Sequence, residues 1–205
     1  ISRYLDDFRQ ILNGAGQQEV RECISAEEFQ KELCGKAEEL TNAGKCPVCF
    51  AIGKLTGSLV CNREMLLRAW GNLLANAVEY TDPEKGIVIE LEERRCGEEV
   101  QAMPENGQEG SEMPVKEENV NRKYWSASVC DYGAGFSARD LLYADQRFYS
   151  GDESRHDRGH QGLGLSIVKQ FVTALGGRLE YGNREESDGA GQGAVVRMVL
   201  PAEEE

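Results

Sequence analysis

The sequence predicts an α+β fold, a two-layer α/β sandwich with helices on one face of a mixed, mainly antiparallel sheet. The first observation is that segments with helical spacing of apolar residues are interspersed with short β-rich segments. The second is that polar or glycine-rich turns separate these segments. The third is size, because 205 residues, 40% of them hydrophobic, can bury the core of one medium-sized domain but not comfortably of two.

Composition narrows the class of protein. A formal net charge of −13 argues against binding to nucleic acid or to an anionic membrane surface, since phosphates favour clustered Lys and Arg. Seven scattered cysteines are typical of reduced cytosolic thiols rather than of a disulfide framework. The chain has no run of about 18 apolar residues and no signal peptide, and it starts at Ile1 rather than Met. We therefore expect a cytoplasmic piece of a longer protein.

Two helices are predicted in the N-terminal part. Apolar residues at helical spacing over 1–12 indicate a first helix, which we interpret as the tail of a preceding helical domain. Ser25 and Glu28 form an S-x-x-E capping box that begins a second helix, and this helix is expected to end near Gly44. Its buried stripe is expected to comprise Phe29, Leu33, Ala37 and Leu40.

A strand, a turn and a third helix are predicted next. Residues 46–55 are apolar and β-rich, and residues 56–58 form a turn. Asn62 is the predicted N-cap of a helix that runs through Tyr80. The core-facing residues of this helix are expected to be Leu66, Trp70, Leu73, Leu74 and Ala77.

Two further strands are predicted at 86–91 and 124–130. The stretch between them, at about 93–122, is acidic, punctuated by glycine and proline, and nearly free of large apolar residues. It cannot bury enough surface to offset the entropy of ordering it, so we expect a flexible insert. Ser137 then begins another helix, with Asp140 in its first turn.

The C-terminal part predicts a helix and two closing strands. The helix runs from about Gly164 to Leu175 and is stopped by the glycine pair at 176–177. The strands lie at 178–181 and 194–200 around another glycine-rich turn.

Two amides in the third predicted helix form a candidate metal site. Asn72 and Asn76 are four residues apart and therefore project from one helix face, which Glu79 and Tyr80 continue one turn further on. Two neutral oxygen donors can hold Mg²⁺ against a triphosphate without adding charge. An isolated pair of this kind is more often simply two exposed amides.

A carboxylate and two glycines form a candidate site for a flat ring. Asp131 ends a predicted strand, and Gly133 and Gly135 follow it. The carboxylate can accept a hydrogen bond from an exocyclic amine, while the glycines let the backbone approach a ring closely. Taken alone, D-x-G-x-G is also a common turn.

A glycine-rich helix start forms a candidate phosphate site. Gly159, Gly162 and Gly164 lead into an apolar helical segment, so several backbone N–H groups point outward and can bind phosphate oxygens. Their spacing is neither that of the dinucleotide fingerprint nor that of the GxxxxGK[ST] loop. The three candidate sites, in this order, predict an ATP-binding domain.

Four segments in this order resemble the N, G1, F and G2 boxes of sensor histidine kinases, and they read RAWGNLLANAVEYT, VCDYGAGFS, DQRFYSGDESR and GHQGLGLSIVKQF. These kinases belong to the GHKL superfamily, which includes gyrase and the mismatch-repair ATPases. The resemblance covers roughly residues 23–201 and implies the Bergerat ATP-binding fold, with ATP and Mg²⁺ as ligands. It implies a catalytic domain at 23–205 and, at 1–22, the end of a dimerisation and phosphoacceptor helix with its linker.

The resemblance also implies roles for individual residues. Asn76 would coordinate Mg²⁺, and Asn72 would lie beside the phosphates. Asp131 would accept a hydrogen bond from the adenine amine, with Gly133 and Gly135 under the ring. Asn72 and Arg147 are the predicted catalytic residues. The other predicted nucleotide contacts are Tyr80, Phe148 within a mobile lid at 144–161, Gly162, Leu163, Gly164 and Leu165.

The implied function is that of the catalytic domain of a two-component sensor histidine kinase, which phosphorylates a histidine and thereby feeds a response regulator. His156 and His160 lie in the lid, so the acceptor is expected outside this chain, in the same protein or its dimer partner. Superfamily ATPases carry Glu where this chain has Asn72, and an amide cannot act as general base for water, so slow hydrolysis is expected. The resemblance implies a membrane-anchored parent protein.

Two positions depart from the family pattern. Glu79 stands where many relatives carry Lys or Arg, and Ser150 stands where an Arg often follows the lid aromatics. A cation at the transferring phosphoryl group is worth about 10³ or more in rate. Arg147, Arg155 and Arg158 are candidates to supply it, and the alternative, favoured for Arg158, is that they are solvated charges of the lid. The alternative function is a nucleotide-sensing module with weak or lost kinase activity that acts through protein binding.

Overall fold

Seven strands and four helices make up the described part of the chain, which comprises residues 20–95, 122–146, 149, 164–184 and 193–204 of a computed structural model. The strands are β1 (Glu22–Ser25), β2 (Val48–Ile52), β3 (Ser58–Cys61), β4 (Ile87–Arg95), β5 (Lys123–Cys130), β6 (Arg178–Asn183) and β7 (Ala194–Pro201). The helices are α1 (Ala26–Gly44), α2 (Arg63–Tyr80), α3 (Ala138–Tyr143) and α4 (Gly164–Ala174).

Five of the strands form one sheet in the order β2-β4-β5-β7-β6. β2 pairs with β4 in parallel, whereas the other three pairings are antiparallel. The predicted mixed, mainly antiparallel sheet is therefore confirmed. The short strands β1 and β3 form a separate antiparallel pair, and hydrogen bonds between Ser58 and Glu203 join this pair to the end of the chain.

The three longer helices cover one face of the sheet. α2 lies in the middle and contacts β5, with α1 on one side over β2 and β4 and α4 on the other over β6 and β7. Phe29 of α1 packs against Trp125 of β5 with ring centroids 4.9 Å apart. The indole N–H of Trp70 donates to the carbonyl of Leu33 at 2.9 Å, which joins α2 to α1 inside the core. The result is the predicted two-layer α/β sandwich.

The helix starts follow from local side chains. Ser25 and Glu28 form the predicted capping box of α1, and the Asn62 carboxamide accepts the Met65 N–H at 2.9 Å to cap α2. Ser137 and Asp140 form a second capping box at α3. Each satisfies backbone N–H groups that have no partner within the helix.

The predicted core residues are buried with one exception. Leu40 of α1 is only half-buried, whereas Thr41 is buried in its place, with its hydroxyl donating to the Ala37 carbonyl at 2.8 Å. The prediction favoured leucine because hydrophobicity was the only guide. The hydrogen bond to the preceding turn lets threonine occupy the buried position.

The sequence did not predict β1, β3 or the C-terminal extension of β4. β1 and β3 have four residues each, too short for a two-residue alternation to stand out. β4 continues to Arg95, so the first three residues of the predicted flexible insert, 93–95, are strand. The helix predicted at 1–12 and the rest of that insert as far as residue 121 lie outside the described residues. Within the described residues, no helix is long and apolar enough to cross a membrane.

Candidate functional site

The two amides lie on the central helix of the layer. Leu73, Leu74 and Ala77 bury one side of α2 in the core, and this burial fixes the rotation of the helix. Asn72 and Asn76 lie one turn apart on α2, and both are half-buried. The core therefore determines where the amides point, as the sequence pattern predicted for a shared face.

The start of α4 approaches the second of these amides. A β-carbon added to Gly164 would lie 3.0 Å from both the Nδ2 and the Oδ1 atom of Asn76. Such a distance is tighter than ordinary van der Waals contact, so a side chain at position 164 would press on the amide. The fold thus brings together the candidate metal site and the candidate phosphate site, 88 residues apart along the chain.

The aspartate turn is held by backbone groups on two sides. The Asp131 carboxylate is buried, and its Oδ1 atom accepts the N–H groups of Gly133 at 2.8 Å and of Ala194 at 2.9 Å. The Asp131 N–H donates in turn to the Ala194 carbonyl at 2.9 Å. Both side-chain bonds found in the described residues use Oδ1, which leaves Oδ2 as an acceptor for an N–H or amine donor of a ligand.

The environment of Asp131 alters its ionisation. Burial raises the pKa of this carboxyl above its ordinary value, while the N–H groups of Ala194 and Gly133 and the charge of Arg184 oppose the rise. A buried carboxylate with one remaining acceptor is costly for the folded protein. It is suited to a ligand that donates a hydrogen bond in the same place.

The C-terminal end of α2 contacts the same turn. The Thr81 hydroxyl accepts the Tyr132 N–H at 3.1 Å and donates to the Gly86 carbonyl. A β-carbon at Gly133 would lie 2.3 Å from the Tyr80 carbonyl oxygen, so only glycine permits this approach. The segment from Asn76 to Thr81 therefore contacts both the glycine-rich helix start and the aspartate turn.

Of the remaining predicted site residues, some lie in the described part of the chain and others do not. Tyr80 is 45% exposed at the end of α2, next to the turn. Gly135 adopts φ +73°, a conformation that favours glycine. The Leu165 side chain packs against the hydrophobic cluster, so a ligand contact there would fall to its backbone. Four predicted residues lie outside the described part of the chain, namely Arg147, Phe148, Gly162 and Leu163.

Sequence reasoning did not identify Thr81, Asn183 and Arg184, all of which hold the turn. Asn183 bonds to both backbone groups of Phe136, and Arg184 lies against Tyr132 with its guanidinium carbon 4.2 Å from the ring centroid. Each partner lies about 50 residues away along the chain, and no local motif marks such a pairing. For Asn183 and Arg184, a predicted topology that placed β6 beside this turn would have been a signal, whereas Thr81 is the last residue of the RAWGNLLANAVEYT segment, which by itself does not indicate its partner.

Comparison with known proteins gives a family match over most of the chain. Residues 61–204 match the family model described as histidine kinase-, DNA gyrase B-, and HSP90-like ATPase. A curated relative, the sensor histidine kinase SpaK of Bacillus subtilis, is 34% identical over 142 residues, which are 69% of this chain and 24% of SpaK. The chain therefore spans about a quarter of the length of this relative.

Solved structures give the same fold. The mycobacterial sensor histidine kinase MprB matches with a TM-score of 0.62 at 18% identity, covering 91% of this chain and all of the MprB chain. Full-length ShkA, in complex with AMPPNP, matches with a TM-score of 0.63 at 18% identity, covering 99% of this chain and 36% of that chain. At this identity the two matches establish the fold.

Proposed function

Because the chain belongs to the histidine kinase-, DNA gyrase B-, and HSP90-like ATPase family, we propose that it binds Mg-ATP and that its parent protein transfers the γ-phosphate to a histidine. The observation that carries this proposal is the meeting of three elements at one place. The α2 segment from Asn76 to Thr81 contacts both Gly164 and the turn that follows Asp131. These are the candidate metal, phosphate and base sites.

Asp131 is the proposed recognition residue for the base. Its Oδ2 atom would accept the adenine amine, with Gly133 and Gly135 under the ring and Tyr80 beside the pocket. An amine donor compensates the buried carboxylate, whereas the carbonyl that guanine carries at the same ring position is an acceptor and would leave the carboxylate unsatisfied. The site is therefore expected to prefer adenine nucleotides.

The amides of α2 are the proposed residues at the phosphate end. Asn76 would coordinate Mg²⁺, and a half-buried neutral oxygen that contacts the start of α4 fits a hard cation. Bound Mg²⁺ supplies charge neutralisation for the phosphates. Asn72 would orient the phosphates, and the backbone N–H groups of the segment 162–165 would bind their oxygens. Arg147 and Phe148 are the proposed lid contacts.

Chemistry at Asn72 favours transfer of the phosphoryl group over hydrolysis. A carboxamide has no basic oxygen and cannot remove a proton from an attacking water. The γ-phosphate is therefore expected to persist until a better nucleophile, a histidine imidazole, reaches it. Slow hydrolysis in the absence of an acceptor is the corresponding expectation.

The proposed organisation of the parent protein follows the family. Residues 23–205 would be the catalytic domain, residues 1–22 would be the end of the dimerisation and phosphoacceptor helix with its linker, and the acidic insert would begin after Arg95. The phosphoacceptor domain of the same protein or of its dimer partner, and then a response regulator, would receive the phosphoryl group. The catalytic domain would be cytoplasmic and its parent protein membrane-anchored.

Titration with Mg-ADP tests the binding part of the proposal. Wild type is expected to bind, and Asp131→Asn is expected to bind at least about 100-fold more weakly, because the amide replaces the free acceptor Oδ2 by a donor. The substitution retains an oxygen for the Gly133 and Ala194 N–H groups. Equal affinity of the two proteins would show that the base binds elsewhere.

Phosphotransfer is tested separately. With γ-labelled ATP, the chain is expected to label a phosphoacceptor-helix domain from its own parent protein, and Asn76→Ala is expected to abolish the labelling. Binding of Mg-ADP without any labelling would contradict the kinase proposal and favour the nucleotide-sensing alternative.

A further inference from the structure

We propose that Asn183, at the end of β6, is a positioning residue for the nucleotide base and sets the preference of the site for adenine. This inference rests on the proposed function, since it concerns the same pocket. Asn183 does not belong to any of the motifs that predicted the site, and it lies 47 residues from its partner in the turn.

The Asn183 carboxamide bonds to both backbone groups of one residue of the turn, Phe136. Its Oδ1 atom accepts the Phe136 N–H at 2.6 Å, and its Nδ2 atom donates to the Phe136 carbonyl at 2.8 Å. Two opposed bonds fix both the position and the orientation of the backbone at residue 136. A single bond would leave the turn free to rotate about that contact.

Gly135 is adapted to this clamp. It adopts φ +73°, and a β-carbon there would lie 2.6 Å from the Oδ1 atom of Asn183. Glycine is therefore required for two independent reasons, its backbone conformation and the proximity of the carboxamide. The Phe136 ring also packs on Tyr181 of β6, with centroids 5.5 Å apart.

The neighbouring residue holds the other end of the same turn. Arg184 donates to the Asp131 carbonyl at 3.4 Å, and its guanidinium carbon lies 4.2 Å from the centroid of the Tyr132 ring. The Arg184 N–H donates to the Gly193 carbonyl at 3.0 Å. Asn183 and Arg184, at the end of β6, thus contact the turn at residue 136 and at residues 131–132, respectively. The two glycines of the proposed base site lie between these contacts.

Because the Asn183 side chain is exposed, its proposed role in positioning the base can be distinguished from a contribution to the stability of the fold. Its side chain is exposed, so it contributes no apolar burial to the core. Within the described residues, both hydrogen bonds of its side chain go to Phe136 of the turn. Loss of the carboxamide is therefore expected to loosen the glycine turn, and with it the alignment between a base and the free oxygen of Asp131, while the sandwich remains folded.

The experiment compares Asn183→Ala with wild type by displacement of a fluorescent ATP analogue with Mg-ADP and with Mg-GDP. The affinity for Mg-ADP is expected to fall about 3- to 10-fold, the effect of two neutral hydrogen bonds that are only partly transmitted to the base. The affinity for Mg-GDP, which does not use the amine contact, is expected to change less. The ratio of the two affinities should therefore fall.

Two controls make the result specific. Asn42→Ala removes an exposed carboxamide from the end of α1, away from the turn, and is expected to leave both affinities unchanged. Gly135→Ala is expected to weaken Mg-ADP binding less in the Asn183→Ala background than in wild type, because the steric conflict with Oδ1 is then gone.

The outcomes separate this inference from the proposed function. If Asn183→Ala retains the wild-type ratio of Mg-ADP to Mg-GDP affinity, the positioning role is wrong. Partial unfolding of the variant cannot produce the expected change in this ratio, because it lowers both affinities by the same factor. If wild type itself binds Mg-ADP without any dependence on Asp131, the proposed function fails instead. Additive effects of Asn183→Ala and Gly135→Ala would also contradict the clamp.

Discussion

At the scale of single residues, the Asp131 carboxyl combines a structural role with the proposed role in binding the base. Oδ1 accepts two backbone N–H groups and holds the turn, whereas Oδ2 is left for a ligand. Burial raises the pKa of this group. Burying this carboxylate therefore lowers the stability of the fold, and under the proposed function the amine of the base compensates this cost at Oδ2.

The raised pKa of Asp131 predicts that ionisation of this carboxyl lowers the stability of the fold as the pH rises. A carboxyl whose pKa is raised in the folded state stabilises the fold when protonated, and this stability is lost as the pH rises from about 3.9, the unperturbed value, through the folded value. The carboxamide that the Asp131→Asn variant carries does not titrate. Without nucleotide, the free energy of unfolding of the variant relative to wild type should increase from pH 4 to pH 7, as measured by urea denaturation. A difference that stays constant or falls with pH would contradict this assignment.

Four cysteines of the described residues differ in burial and therefore in expected reactivity. Burial raises the pKa of Cys130 to about 12 and that of Cys61 to about 11, whereas Cys23 and Cys49 are exposed. Since the thiolate is the reactive form, alkylation of the native protein at pH 8 should modify Cys23 and Cys49 well before Cys61 and Cys130. Peptide mass spectrometry after timed quenching measures the order. Early modification of Cys130 would show that the end of β5 opens.

At the scale of elements, α2 determines the geometry of the site. One side of this helix is buried in the core, its amides lie on another side, and its C-terminal end supports the aspartate turn through Thr81. α4 meets α2 at Gly164, where the backbone approaches the Asn76 amide. The site is therefore a consequence of how two helices pack over the sheet, and a small change at their contact should alter binding before it alters folding.

Gly164→Ala tests this contact between helices. The new methyl group would lie 3.0 Å from the Asn76 amide and displace it, so the affinity for Mg-ATP should fall about 10-fold or more. The free energy of unfolding should stay within about 1 kcal/mol of wild type, since alanine is the better helix former. Calorimetric titration and urea denaturation measure the two quantities.

Gly35→Ala is the matched control for this substitution. Gly35 lies within α1, and a β-carbon there would have no neighbour within 4 Å. The variant should gain about 0.5–1 kcal/mol in the free energy of unfolding and bind Mg-ATP like wild type. If both alanine variants bind normally, the contact between Gly164 and Asn76 does not shape the site.

At the scale of the whole molecule, the sheet has different chemistry at its two ends. β5 ends at Cys130, beside the Asp131 turn, and begins at Lys123, about 23 Å away by the rise of seven strand residues. The buried Lys123 ammonium donates to the Thr56 hydroxyl at 2.8 Å, and Glu93 accepts both the N–H and the hydroxyl of Thr56. Trp125 donates to the Thr56 carbonyl at 3.1 Å. This polar network stabilises the end of the sheet that is remote from the site.

Glu93→Ala should therefore lower the stability of the fold without changing the affinity for nucleotide. Its removal leaves the Lys123 ammonium buried without its carboxylate and the Thr56 N–H without an acceptor, so the free energy of unfolding should fall by on the order of 3 kcal/mol. The affinity of the folded protein for Mg-ADP should not change. Urea denaturation and calorimetric titration at a temperature where the variant is folded check the two parts. A loss of affinity would mean that the two ends of the sheet are coupled.

Much of the fold was predictable because its signals are local. The capping residues Ser25, Asn62 and Ser137 mark helix starts, and the apolar stripe of α2 predicted its buried side. The candidate site was predictable in part for the same reason, since Asn72, Asn76 and Asp131 stand in short motifs. β1 and β3 were not predictable, because four-residue strands depend on each other for pairing rather than on their own pattern.

The sequence by itself determined which groups make up the candidate nucleotide site: two amides, one carboxylate and a run of glycines. Only the tertiary structure decided which oxygen of Asp131 remains free, that Thr81 and Asn183 hold the turn, and how closely Gly164 approaches Asn76. The physical reason is the separation along the chain over which each kind of interaction acts. Helix periodicity and capping act over about four residues. The bond from Ala194 to Asp131, the bonds of Thr81 and Asn183 to the turn, and the approach of Gly164 to Asn76 join segments from about 50 to 90 residues apart, and they exist only once the helices have packed on the sheet.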